Sequence, residues 1–64
     1  MIWYEIVNGK HGNNYDNYGD YLSKDKALRI AKDLPDVYVR VDAYEGDFKR
    51  RDGNYIDTIF ERQK

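Results

Sequence analysis

The chain has no cysteine, one histidine, one proline and no long apolar run in its 64 residues. The missing cysteine excludes a disulfide framework and any thiolate chemistry. A single histidine, His11, cannot supply the ligand cluster of a structural zinc. No stretch approaches the ~20 apolar residues of a membrane span, and no signal-type segment opens the chain. The expectation is therefore a cytoplasmic protein without a membrane anchor. Charge of one sign is also lacking. Eleven Lys/Arg against twelve Asp/Glu give a net charge of −1. That balance excludes a strongly acidic nucleic-acid mimic and a basic nucleic-acid coat, so electrostatics must act through local patches.

Catalytic groupings are equally sparse. Apart from the tyrosines, the hydroxyls are Ser23 and Thr58, and Ser23 is accounted for as a helix cap. His11 lies among Gly and Asn with no thiol to activate, and no glycine pattern for cradling phosphate precedes a helix. No catalytic residue, cofactor or metal is expected, and the reading is of a protein that is not an enzyme. A chain this short buries only about 60% of its unfolded surface. What it does have is aromatic side chains, seven Tyr, two Phe and Trp3, which must carry much of the packing.

The pattern predicts one α+β domain over residues 1–64. The segment 2–7, IWYEIV, alternates as a strand, with Ile2, Tyr4 and Ile6 on one face and Trp3, Glu5 and Val7 on the other. Asn8-Gly9 is a turn signal. Residues 15–22, YDNYGDYL, read as an edge strand pairing with the first, or else as a tyrosine-bearing loop. SKDKALRIAKDLP is a helix. Ser23 caps it, Leu22 and Ala27 occupy the positions of a hydrophobic staple, and Pro35 ends it. Ala27, Ile30, Ala31 and Leu34 recur at helical spacing and form its core stripe, flanked by Leu28.

DVYVRVDAY then alternates strictly, with Val37, Val39, Val41 and Ala43 inward and Tyr38, Arg40, Asp42 and Tyr44 outward. Two glycine signals follow, Glu45-Gly46 and Asp52-Gly53. Taken as turns, they place a short strand, DFKRR, between them and set Phe48 opposite Ala43 and Thr58. Ile56, Thr58 and Phe60 then face the core. The open face would carry Tyr38, Arg40, Asp42, Tyr44, Lys49, Arg51, Tyr55, Asp57 and Ile59. The expected order is β-β-α-β-β-β: an antiparallel-dominated sheet of four to five strands with one helix on one face.

Three groups are candidates for partner binding. Lys49, Arg50 and Arg51 offer charge-assisted contacts to phosphate or carboxylate, although charge near a strand edge also guards against aggregation. Lys24, Lys26, Arg29 and Lys32 crowd one helix, where exposed lysines ordinarily serve only solvation. Tyr15, Tyr18 and Tyr21 recur every third residue, so some must be exposed. With Tyr38 and Tyr44 they supply rigid contact area, or they cover the margin of a small core.

The segments YLSKDKALRIAK, VYVRVDAYEGDF and RRDGNYID resemble, in order and spacing, a small phage anti-CRISPR family that binds the type I-F surveillance complex. The resemblance covers roughly Tyr21 to Asp57. It implies a non-catalytic inhibitor acting in the host bacterial cytoplasm on a protein or ribonucleoprotein complex. By position it assigns partner contacts to Lys24, Lys26 and Arg29. The tyrosine-rich second segment and the Lys49-Arg50-Arg51 run depart from the family pattern. Two alternatives stand beside it: a small nucleic-acid-binding protein, and an inhibitor of another host enzyme such as RNA polymerase. Either a monomer or a homodimer is compatible.

Overall fold

The computed structural model describes residues 1–8 and 16–63. The elements run β1 (Ile2–Asn8), β2 (Asp16–Tyr21), α1 (Lys24–Asp33), β3 (Tyr38–Asp47) and β4 (Asp52–Gln63). The strands form one four-stranded sheet in the order β2-β1-β3-β4. Every pairing is antiparallel. Strands β2 and β3 therefore run in the same direction on either side of β1, and α1 makes the crossover between them. The fold is thus a small α+β domain, as the hydrophobic periodicity predicts. Residues Asp16 to Tyr21 are a strand rather than a loop.

The helix begins where the chain can satisfy its free N–H groups. Ser23 Oγ accepts from the Lys26 amide at 3.2 Å, and the Ser23 carbonyl accepts from Ala27 at 3.0 Å. Ala27 and Ala31 are buried against Ile6, Val39 and Val41, with Leu28, Ile30, Leu34, Tyr4, Tyr21, Ile59 and Phe60 around them. Fully burying a side chain such as Ile6, Val39 or Val41 contributes about 1.5–3 kcal/mol each. At the other end of the helix, Arg62 donates to the carbonyls of Lys32 at 2.9 Å, Leu34 at 2.6 Å and Asp36 at 3.1 Å. A cation there also complements the negative pole of the helix. Val37, expected inward, precedes β3 and is exposed.

The C-terminal third differs from expectation. DFKRR is not a strand: Asp47 pairs with Asp52, and residues 48–51 form the turn of a single long β3–β4 hairpin. Gly46 and Gly53 mark no turns. They sit directly opposite each other in the ladder. A Cβ on Gly46 would lie 2.2 Å from the Asp52 carbonyl oxygen, and one on Gly53 would lie 2.7 Å from that of Glu45. These glycines permit close approach of two backbones, which is a different use of the same residue.

The register follows. Ala43 pairs with Asp57, and Asp42 with Thr58, so neither lies opposite Phe48. Irregularities beside Ile59 and Ile56 each insert one residue into β4 and reverse its alternation. Phe60 stays on the core side, Thr58 turns to the open face, Ile56 is exposed, Asp57 moves to the helix side, and Ile59 packs at the core margin.

The face opposite the helix holds a second cluster. Trp3 and Tyr44 stack with ring centroids 4.7 Å apart, Phe48 meets Trp3 edge-on at 6.2 Å, and Tyr55 meets Tyr44 at 6.1 Å. Beside them Arg40 Nε donates to Asp42 Oδ2 at 2.9 Å in a buried ion pair. Thr58 Oγ1 donates to the other Asp42 oxygen at 2.7 Å.

Candidate functional site

Leu22 is the last residue before the helix cap. Expected to seal against Ala27, it is 49% exposed. It lines an apolar cavity of about 480 Å³ together with Met1, Gly46, Asp47, Phe48 and Lys49. The N-terminal strand is drawn to the hairpin here: Gly46 N–H donates to the Met1 carbonyl at 2.9 Å, and the Met1 amine meets Glu45 at 2.7 Å. The cavity therefore joins the start of α1 to the β3–β4 tip. Lys49 lies in its lining, and Lys24 and Lys26 follow Leu22 by two and four residues in the chain.

Among the described residues, Lys24, Lys26, Arg29, Lys49 and Arg50 make no ion pair. Lys26 Nζ rests 5.5 Å from the Tyr21 ring centroid. Asp47 is held by its own turn, its Oδ1 accepting from the amides of Lys49 at 3.0 Å and Arg50 at 3.4 Å. The helix N-terminus adds its positive pole. An apolar cavity beside solvated cations suits a protein surface that offers an apolar side chain near carboxylates or phosphates.

The other candidate residues are placed differently. Arg51 is engaged within the fold: its Nε lies 2.7 Å from Asp20, and its guanidinium lies 4.4 Å from the Phe48 ring centroid. Arg29 projects from the exposed side of the helix. Tyr44 donates its hydroxyl to Glu5 at 3.2 Å and stacks on Trp3. Tyr38 donates to Glu61. Tyr18 donates to Asp36 at 2.8 Å and accepts from Asn8 at 3.2 Å. Tyr15 and His11 lie outside the described residues. Tyr18, Tyr38 and Tyr44 thus tie strands and loops together, and the open face carries the acids Glu5, Asp20 and Glu61.

Two of these phenols are pushed above their ordinary value. The hydrogen bond to Asp36 is the main cause for Tyr18. The hydrogen bond to Glu61 is the main cause for Tyr38. Asp36 is held below its ordinary value, chiefly by the Asn8 amide and then by the Tyr18 hydroxyl. In all three the largest cause is a hydrogen bond that braces the fold.

Sequence reasoning missed Met1, Leu22 and Phe48 as cavity walls. The available signal was Leu22, an apolar side chain beyond a polar cap with only a small alanine as its staple partner. Among the described residues, no group of three or more His, Cys, Asp or Glu could hold a metal ion. No described helix is long and apolar enough to cross a membrane. No family model, curated protein or solved structure matches the chain.

Proposed function

We infer that this is a non-catalytic binding protein that inhibits a bacterial complex by occupying one of its protein surfaces. The observation that carries the reading is the apolar cavity lined by Leu22, next to the helix cap, and by Phe48 and Lys49 of the hairpin tip, with Lys24, Lys26, Lys49 and Arg50 making no ion pair among the described residues. The resemblance over Tyr21 to Asp57 adds a class of target, a CRISPR effector of the type I-F surveillance kind in the bacterial cytoplasm. The acids along the open sheet face disfavour that face as a platform for nucleic acid, where phosphate repulsion would dominate.

The test is co-elution of the purified chain with a purified type I-F surveillance complex, read together with target-DNA binding by that complex. The expected result is a stoichiometric complex that no longer binds target DNA. Lys24→Glu/Lys49→Glu should weaken assembly by about tenfold or more, equivalent to about 1.4 kcal/mol. Absence of co-elution removes this effector class. A charge-reversed variant that binds as well as wild type removes the cavity end as the interface. A low-salt gel shift of the chain alone with duplex or single-stranded DNA, steeply weakened by added salt, would replace the protein-surface reading with direct nucleic-acid binding.

A further inference from the structure

We propose that the turn of the β3–β4 hairpin, residues 48–51, is a lid over Trp3, latched by the Arg51–Asp20 ion pair. Three features of the tip have separate consequences. The Gly46/Gly53 pair at its base has no side chains and brings the two backbones too close for a Cβ, so no side chain there props the tip. Beyond that pair, residues 48–51 form the turn, and Phe48 lies edge-on to Trp3 at 6.2 Å. Arg51 then stacks 4.4 Å above Phe48 and reaches across to Asp20 on β2 at 2.7 Å.

The closed form is held at its outermost point and strained within. The Arg51 and Asp20 side chains are 50% and 15% exposed, so salt screens their attraction. Arg51 adopts φ 54°, a conformation a non-glycine residue avoids unless its surroundings fix it. Beneath the lid, Trp3 is 4% exposed, yet its indole Nε1 has no hydrogen-bond partner among the described residues. Opening would hydrate that N–H and uncover the Trp3–Tyr44 stack, extending the surface that Tyr55 already presents. Phe48 belongs both to the lid and to the wall of the 480 Å³ cavity, so an occupant of the cavity and exposure of Trp3 are mechanically linked. The lid itself does not depend on the identity of a partner, and the protein alone tests it.

Trp3 is the sole tryptophan, which makes its emission a direct reporter. Acrylamide should quench it weakly at low salt. Raising salt to about 1 M, where the Debye length is about 3 Å, should increase quenching. Asp20→Asn should show the increase already at low salt and respond little to further salt. Arg51→Gly should behave alike, because glycine accepts the positive φ while removing the latch. The open-to-closed ratio should rise about two- to fivefold, the range that an exposed ion pair supports. Quenching that stays at the wild-type level in both variants, with native far-UV circular dichroism, overturns the lid. So does a flat salt response in wild type, which decides the matter if either variant fails to fold.

Discussion

The buried Arg40–Asp42 pair offers the sharpest test of how this small domain is held together. The two residues stand two apart on β3, so they share the open face, with side chains 4% and 1% exposed. Replacing Arg40 with Met keeps an unbranched stem of similar reach and deletes the guanidinium. Asp42 is then a carboxylate buried with the Thr58 hydroxyl as its remaining side-chain partner. Removing one member of such a pair costs about 3–5 kcal/mol, because the other charge stays desolvated. A 64-residue domain has a total stability of only about 3–10 kcal/mol at 0.05–0.15 kcal/mol per residue. Arg40→Met should therefore lower the melting temperature by about 12 °C or more at 4–8 °C per kcal/mol, or unfold the chain outright.

The second half of the argument is the double variant Arg40→Met/Asp42→Leu. It removes both charges and fills the same space with apolar atoms. Its stability should return to within about 1 kcal/mol of wild type, since pairing charges in a dry site roughly offsets the cost of drying them. Urea denaturation followed by Trp3 fluorescence measures wild type, both single variants and the double, and the cycle yields the coupling energy. An Arg40→Met variant within about 1 kcal/mol of wild type refutes the premise that the pair is desolvated. A double variant no better than the single refutes the premise that the orphaned charge, and not lost packing, sets the cost.

Three further perturbations test other joints of the fold. Arg62→Met removes charge-assisted bonds to three carbonyls at the end of α1 and should cost about 2 kcal/mol in thermal melts, with Arg62→Lys recovering only part because an ammonium lacks the fork. Ser23→Ala should cost about 1 kcal/mol through loss of the helix cap, visible as a lower urea midpoint at unchanged slope. Asp36 has a folded pKa below its ordinary 3.8, so its contribution is present above that value and is lost as pH falls through the lower folded one. Tyr18 is shifted upward from 10.0, so its contribution is present below pH 10 and is lost as pH rises through the higher folded value. Melts of Asp36→Asn should lack the Asp36 acid dependence and show a weaker alkaline one, since desolvation and Asp16 still raise Tyr18 and Glu61 still raises Tyr38.

Where one periodicity persists, the sequence was enough. Val39, Val41 and Ala43 read as one face of a strand, Ala27 and Ala31 as one stripe of a helix, and Ser23 as a cap; each is set by neighbours within a few residues. The β3–β4 hairpin was misread because its glycines have two uses that look alike in a chain. A glycine at positive φ makes a turn, whereas Gly46 and Gly53 let two backbones touch, and only the pairing of residue 46 with residue 53 distinguishes these. Misplacing the turn then misplaced Phe48; the extra residue at Ile59 exchanged the faces of Thr58 and Asp57, and the one at Ile56 returned Tyr55 to the open face.

The candidate site was half legible for a related reason. Charge can be counted along a chain, so the cations were visible as two groups. The cavity shared by Leu22 and the tip residues Phe48 and Lys49 depends on a crossover helix starting beside the tip of a later hairpin, a contact with no local signature. Conversely, Arg51, Tyr18, Tyr38 and Tyr44 looked available, but Asp20, Asp36, Glu61 and Glu5 engage them. In a chain with no disulfide, polar side chains that could meet a partner brace the fold instead. This separates the cations that brace it from those that remain solvated, Lys24, Lys26, Arg29, Lys49 and Arg50. Arg51 is the joint between the two sets: it braces the tip through Asp20 while its neighbours Lys49 and Arg50 face solvent. A contact that displaced Arg51 from Asp20 would thus change both the surface and the stability of the tip.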